Sequence, residues 1–224
     1  MRLTRAALES CVLQTWVAQS GLDLTVWSDA EHEASIQALL QQQRPEDPVY
    51  VFAYGSLIWN PCCHYVDCVP AMLYGWHRDF CLWAPVGRGT PEQPGLVLGL
   101  ERGGSCHGLV FRLSTAHALA DLRLMWRREM VVGSYIPRWV SVRCGEGFCQ
   151  AIAFTVNPDH ACYTGKLQSE QLIRTLATAQ GELGSSADYL QQTVEGLRQN
   201  GLCDQRLQRL QQRVEQWHLD QSAA

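Results

Sequence analysis

The chain has 224 residues, of which 46% are hydrophobic and 18% are charged, and its formal net charge is -4. This composition is typical of a folded globular protein with one sizeable core, and it offers no clustered basic surface for nucleic acid. No stretch reaches the roughly 18 apolar residues of a membrane span, and the N-terminus lacks the apolar segment of a secretory signal. We therefore expect a cytoplasmic protein that binds neither membranes nor nucleic acid.

Residues 1–47 are predicted to form a helical N-terminal extension. Apolar residues at helical spacing predict one helix at Ala6–Gln19 and a second at Asp29–Gln43, with Asp29 as its N-cap. Pro48 ends this pattern, because proline lacks a backbone donor and restricts the residue before it. The main domain is therefore expected to span residues 48–218.

From Val49 the pattern changes to short β-rich runs separated by glycine, proline and polar residues. The predicted strands are Val49–Tyr54, Val69–Leu73, His77–Ala84, Leu96–Glu101, Cys106–Leu113, Trp139–Arg143 and Ala151–Val156. Several short strands at this spacing favour a mixed or antiparallel sheet that closes into a small β-barrel.

Helical patterns interrupt and then follow the strands. A helix is predicted at Thr115–Glu129 with Ser114 as N-cap. The C-terminal part is predicted to form helices at Ser169–Gln180, Ser186–Asn200 and Asp204–His218. The predicted fold class is therefore α+β, a small β-barrel surrounded by N-terminal and C-terminal helical segments.

The first candidate site is the turn Tyr54-Gly55-Ser56-Leu57, which closes an apolar strand. Gly55 permits close approach of the backbone, and successive N–H groups in such a turn can hold a carboxylate or a developing oxyanion. An ordinary strand-ending turn would explain the same four residues, since glycine and serine are common in turns.

The second candidate is Glu129, which shares the apolar stripe of its predicted helix with Leu119, Leu122 and Trp126. On this stripe the carboxylate would point toward the core. Desolvation would then raise its pKa, which suits a group that takes and returns a proton near neutral pH. The alternative is that Glu129 ends the helix and pairs with one of the two arginines that precede it.

The connection from Ala84 to Gly95 is rich in glycine and proline, and connections of this length are often functional. Arg88, which lies between two glycines, either reaches an anionic ligand or stays solvated.

One local group has residue types that can bind a metal: Cys62, Cys63, His64 and Cys68. A structural zinc site usually shows two ligand pairs, and no second pair follows at suitable spacing. We therefore predict an ordinary loop here, with no metal and no cofactor.

These features together resemble the ChaC family, in an order kept from about Val49 to Leu197. The segments that carry the resemblance are Val51–Pro61, Gly75–Cys81, Gly87–Thr90, Gln93–Gly95, Trp126–Met130, Gly133–Tyr135, Asn157–Asp159 and Ala187–Leu190. The first 47 residues are similar to the extension of the bacterial members. Ala53 and Ser134 depart from the family pattern, since many relatives have glycine at both positions.

The resemblance implies a γ-glutamylcyclotransferase fold and the conversion of reduced glutathione to 5-oxoproline and cysteinylglycine. It further implies that the Tyr54–Leu57 turn holds the γ-glutamyl group and that Glu129 is the catalytic acid and base. Tyr135 would line the same pocket, and we expect Arg88 to meet the glycine carboxylate of glutathione.

Two alternatives stay open at this point. The same core would serve a cyclotransferase for other γ-glutamyl compounds, with the difference confined to Pro85–Pro94. The other is a non-catalytic regulator or binding protein linked to cation transport, although a pure binding module has no use for a buried free carboxylate. The oligomeric state is not predicted.

Overall fold

The computed structural model describes residues 3–44 and 46–222, so Met1, Arg2 and Pro45 of the predicted extension lie outside the described residues. The helices are α1 Arg5–Glu9, α2 Val12–Gln19, α3 Asp29–Leu40, α4 Ala118–Glu129, α5 Ser169–Thr178, α6 Ser186–Gln199 and α7 Gln205–Ser222. The strands are β1 Tyr50–Ala53, β2 Tyr65–Ala84, β3 Gly95–Leu113, β4 Tyr135–Cys144, β5 Gly147–Val156, β6 Gln180–Gly181 and β7 Gly184–Ser185. This combination confirms the predicted α+β class.

Five strands form a closed barrel in the order β1-β3-β2-β4-β5, and β6 pairs with β7 in a separate hairpin. The neighbouring strands are antiparallel, except that β1 runs parallel to β5, with Val51 opposite Ile152. The barrel is therefore mixed, and its closing parallel contact joins the start of the domain to the last barrel strand.

The four predicted strands between Val69 and Leu113 are in fact the two long strands of one hairpin, β2 and β3. Gly75, with φ of +78°, coincides with a register shift between Tyr74 and Trp76, and Gly103 and Gly104 also have positive φ. A glycine at such a point lets a strand bend and continue, whereas the prediction treated it as an end.

Two predictions for the N-terminal helices were wrong, one about continuity and one about a cap. The helix predicted at Ala6–Gln19 is divided in two at Cys11, whose left-handed backbone (φ of 54°) interrupts the helix. Ser28, rather than Asp29, caps α3, because its hydroxyl accepts the N–H of Glu31 in a reciprocal capping box.

The predicted cap of α4 was also wrong. The helix begins at Ala118, after His117, rather than after Ser114. Ser114 instead accepts the N–H of His117 through its carbonyl, in the turn that precedes the helix. The C-terminal helices were predicted correctly apart from shifts at their ends.

The main core fills the barrel and the space between it and the helices. Trp126 of α4 lies edge-on to Phe154 of β5, with ring centroids 5.0 Å apart, and both side chains are fully buried. Ile36 of α3 and Val214 of α7 join the same core from opposite ends of the sequence. Within the described ranges, no helix combines the length and apolar character needed to cross a bilayer.

A fully buried carboxylate, that of Asp121, joins the N-terminal helices to the domain. Its Oδ1 lies 2.6 Å from Nη1 of Arg5, and its Oδ2 accepts the backbone N–H of His64 at 2.7 Å. Leu3, Ala7 and Leu8 pack beside this contact in a second apolar cluster with α4. The N-terminal extension is thus fixed to α4 by both charge and apolar burial.

We predict that Asp121→Ala lowers the free energy of unfolding by about 2–3 kcal/mol, because it removes the charge-assisted hydrogen bonds of a buried carboxylate to Arg5 and to the backbone of His64. Chemical denaturation should show this loss, while Asp23→Ala, a change of an exposed carboxylate, should have little effect. Equal stability of the two variants would contradict the anchoring role.

Candidate active site

A cavity of about 760 Å³ opens where the end of α4, the turn after β1, one side of α6 and the N-terminal helices meet. Ser56, Arg88, Glu129 and Tyr135, four of the residues predicted from the sequence, line this cavity. They come from distant parts of the chain, and the volume lies within the range of roughly 300–1,000 Å³ typical of small-molecule sites. The fold therefore brings the two main candidate features together.

Glu129 is the last residue of α4, and only 13% of its side chain is exposed. Its Oε1 lies 3.0 Å from Nε of Arg128, outside hydrogen-bond geometry, and finds no hydrogen-bond partner among the described residues. Burial raises the pKa of this carboxyl, while the charge of Arg128 acts in the opposite direction. The two sequence-based interpretations are therefore compatible: the Glu129 carboxylate is desolvated, and it also lies next to an arginine at the end of the helix.

The apolar stripe that located Glu129 was correct in part. Leu122 and Trp126 are buried, as predicted, but Leu119 is 38% exposed because it lies in the first turn of the shortened helix. Arg127 pairs with Asp29 of α3 and not with Glu129.

The Tyr54–Leu57 turn is closed by backbone hydrogen bonds from Ile58 to Gly55 and from Asn60 to Ser56. A Cβ on Gly55 would lie 2.7 Å from the hydroxyl of Tyr189, so only glycine leaves room for this contact. The close approach predicted at this turn is therefore made by a side chain of the protein itself.

Three members of the predicted turn, Tyr54, Gly55 and Leu57, lie behind the cavity wall, whereas Ser56 is part of it. Tyr54 is buried, and its hydroxyl donates to the carbonyl of Phe154 at 2.7 Å. In the described part of the chain, the turn thus presents Ser56 to the cavity and uses Tyr54 and Leu57 to hold it there.

Three buried tyrosines, Tyr54, Tyr135 and Tyr189, surround the carboxylate side of the cavity. Desolvation raises the pKa of each hydroxyl, so all three are neutral hydrogen-bond donors near neutral pH. Tyr135 donates to the carbonyl of Leu98 at 2.8 Å. The backbones of Ser56 and Leu98 hydrogen-bond to the Tyr189 hydroxyl.

Tyr189 lines the cavity, but sequence reasoning did not select it as a site residue. Its only signal was its place in the Ala187–Leu190 segment that resembles the family. Trp59 and Arg128 also line the cavity and were not selected as site residues. A local sequence pattern does not show which side chains share a cavity.

Arg88 is buried, with 7% exposure, which excludes the solvated alternative. Its guanidinium carbon lies 5.7 Å from the ring centre of Trp59 and 5.4 Å from that of Tyr189, and Nη1 donates to the carbonyl of Ser185. Burial lowers its pKa, yet a guanidinium stays charged at physiological pH. A buried cation that is stacked on aromatic rings is well placed to receive a carboxylate.

The cysteine-rich group does not bring three possible ligand atoms within 4.8 Å of one another, in the part of the chain that the structure describes. Burial raises the pKa of the Cys63 thiol to about 12. His64 lies against Asp121 through its N–H and its ring nitrogen. Cys62 hydrogen-bonds to the side chain of Asn60.

Elsewhere in the described ranges, His77, Asp79 and Glu101 bring possible ligand atoms within 4.8 Å of one another. All three already have partners, because the His77 ring hydrogen-bonds to the carbonyl of Gly103, Glu101 accepts the hydroxyl of Tyr163 and Asp79 pairs with Arg206. The arrangement is that of a polar network on the long hairpin.

Known proteins share both the sequence and the fold. The chain is 37% identical over 185 residues to the glutathione-specific gamma-glutamylcyclotransferase of Escherichia coli K12, covering 80% of each chain. It is 28% identical over 166 residues to the glutathione-specific gamma-glutamylcyclotransferase 1 of Danio rerio, covering 69% of this chain and 85% of the other.

A similar fold occurs in the crystal structure of the yeast gamma-glutamyl cyclotransferase specific to glutathione, with a TM-score of 0.71 and 20% identity. The match covers 77% of this chain and 97% of the yeast chain, and it confirms the predicted γ-glutamylcyclotransferase fold. The family described as ChaC-like protein matches residues 49–217. This chain therefore belongs to the ChaC-like protein family.

Proposed function

We propose that this protein is a glutathione-specific γ-glutamylcyclotransferase, which converts reduced glutathione to 5-oxoproline and L-cysteinylglycine. The named activities of the Escherichia coli and Danio rerio relatives support this substrate and reaction. The observation that carries the proposal is the desolvated carboxylate of Glu129 in the wall of a cavity that also holds the buried Arg88.

The reaction is internal to the substrate. The α-nitrogen of the γ-glutamyl group bonds to its own γ-carbon, and the bond from that carbon to the cysteine nitrogen breaks. The proton displaced from the α-nitrogen passes to the cysteine nitrogen, so the atoms balance without a second substrate. Holding such a tethered nucleophile in a near-attack geometry can contribute roughly 7–11 kcal/mol.

Glu129 is proposed to move this proton. As a base it takes a proton from the α-ammonium group, and as an acid it returns one to the leaving nitrogen. A carboxyl whose pKa is raised by burial is better matched to both steps than an exposed one. The adjacent Arg128 keeps the ionised form accessible, because its charge opposes the rise.

The Tyr54–Leu57 turn is proposed to hold the γ-glutamyl group through Ser56, its member in the cavity wall. Tyr189 stays neutral and offers its hydroxyl proton beside the same position, while Tyr135, whose hydroxyl donates to Leu98, lines the same pocket. Neutral donors of this kind can stabilise negative charge that develops on the γ-carbonyl oxygen. Arg88 is proposed to pair with the glycine carboxylate at the other end of glutathione.

A purely regulatory protein would not need this arrangement. Burying an ionisable carboxyl with an unsatisfied oxygen lowers the stability of the fold. A protein that only binds its ligand has no use for such a destabilising group. A cyclotransferase for other γ-glutamyl compounds would use the same residues, so substrate comparison has to separate it from the proposed enzyme.

We predict that Glu129→Gln lowers kcat for 5-oxoproline release from glutathione by about 10² to 10⁴, because it removes the acid–base group. KM should change little, since the amide keeps the size of the side chain. Glu215→Gln, a change of an exposed glutamate in α7, is the matched control and should keep full activity. Wild-type turnover by Glu129→Gln would refute the assignment.

The same variant should be more stable than the wild type above acidic pH. Because the pKa of Glu129 is higher in the folded protein than its ordinary value of 4.5, the wild type loses stability as the pH rises through the folded pKa. Glutamine removes that loss, so the difference in Tm should grow from pH 4 upward and then level off. Thermal melts across pH 4–8 test this prediction, and a Tm difference independent of pH would contradict it.

We predict that Arg88→Ala raises KM for glutathione at least tenfold, because a buried charge-assisted contact with the carboxylate is lost. KM for γ-glutamylcysteine, which lacks the glycine, should rise much less. Parallel kinetics on the two substrates provide the test, with the melting temperature as a check on folding. Equal rises would assign Arg88 to the γ-glutamyl end of the substrate instead.

A further inference from the structure

The N-terminal segment, defined as residues 3–28, precedes the part of the chain that matches the family, yet it forms part of the cavity wall. The segment contributes four cavity-lining residues, all of them aliphatic: Leu3, Leu13, Val17 and Leu24. Two are buried and two are half-buried. The segment therefore places apolar side chains directly in the cavity that holds Glu129.

Hydrogen bonds fix this segment to both sides of the catalytic carboxylate. The side-chain amide of Gln14 donates to the carbonyl of Arg127 at 2.7 Å. The backbone N–H of Trp27 donates to the carbonyl of Val131 at 2.9 Å. Since these two carbonyls flank Glu129 in sequence, the segment is held in register with the reacting group.

The apolar surface continues from the segment to Arg88. Leu13 and Leu183 both pack against the N-terminal apolar cluster, and both line the cavity. The N–H of Leu183 donates to the carbonyl of Gly87 at 2.8 Å, directly before Arg88. We call Leu3, Leu13, Val17, Leu24 and Leu183 together the apolar wall.

The two kinds of surface in the cavity suit different parts of the substrate. The γ-glutamyl group carries an amine and a carboxylate, which need the polar partners near Ser56 and Glu129. Aliphatic side chains match the cysteine side chain that follows it. An unsubstituted thiol covers little of the apolar wall in a cavity of about 760 Å³. Each methylene that a larger sulfur substituent buries there strengthens binding by about fourfold.

We propose that the apolar wall binds the sulfur substituent of the substrate, and that this enzyme accepts glutathione carrying an apolar group on its sulfur. This inference rests on the proposed function and extends it to a class of substrates, the S-alkyl glutathiones. The bond changes are those of glutathione itself. The products are 5-oxoproline and an S-alkyl cysteinylglycine, the thioether is unchanged, and no oxidant or reductant is needed.

The test compares kcat/KM for glutathione, S-methylglutathione and S-hexylglutathione, measured by 5-oxoproline release. The wild type should use S-hexylglutathione with kcat/KM within tenfold of that for glutathione, or above it. Leu13→Ala should lower the ratio of S-hexylglutathione to glutathione by about tenfold or more, because the pocket loses contact with the alkyl chain.

Val12→Ala is the matched control, since Val12 packs against the same apolar cluster without lining the cavity. It should leave the ratio unchanged, and thermal melts of both variants show that any change is not a loss of folding. An unchanged ratio in Leu13→Ala, or a wild type that uses glutathione but not S-hexylglutathione, would overturn this inference and leave the proposed function intact. A wild type that uses neither substrate would contradict the proposed function itself.

Discussion

The central constraint on this structure is that the carboxylate of Glu129 is kept out of water at the end of α4. The side chain of Glu129 is mostly buried, and the charge of Arg128 only partly offsets its desolvation. Such a group lowers the stability of the fold, so α4 has to be held firmly from elsewhere. Near the start of α4, Asp121 binds Arg5. Further along the helix, Trp126 donates to the hydroxyl of Ser35. Just beyond the end of α4, the carbonyl of Met130 contacts the ring of His32. Two of these contacts come from α3 and one from α1, which explains why the N-terminal helices matter to a site on α4.

The barrel supplies the other half of the site through close backbone approaches. Gly108 lies against the carbonyl of Ala53, and a Cβ at this position would clash with that oxygen. Arg78 of the long hairpin donates to the carbonyl of Tyr54, and the Tyr54 hydroxyl donates across the barrel to Phe154. These contacts fix the end of β1, so the turn that follows presents Ser56 to the cavity in one orientation. Glycine at position 55 then admits the Tyr189 hydroxyl, which couples the turn to α6.

In the proposed function, the groups that carry out the reaction and the residues that select the substrate come from different parts of the chain. Glu129, which is the proposed acid–base group, the turn and the buried Arg88 all lie within the region that matches the family, residues 49–217. The N-terminal part of the apolar wall lies before that region and touches the same cavity. If the apolar wall binds the sulfur substituent as proposed, a change in these N-terminal residues alters which substrate fits while Glu129 itself is unchanged. The buried guanidinium of Arg88 packs against the rings of Trp59 and Tyr189 in the same cavity.

The family, the α+β class and the two main candidate features could be predicted from the amino-acid sequence, because motifs and apolar periodicity are local properties. Leu122 and Trp126 placed Glu129 on a buried face, and the glycine at position 55 indicated a close approach. Four findings came from the folded chain and could not be predicted: Gly75 bends a continuous strand, Arg88 is buried, Tyr189 makes the close approach to Gly55, and the N-terminal helices line the cavity. Each of these depends on contacts between residues far apart in the chain, and a local pattern shows which face is apolar without showing what covers it.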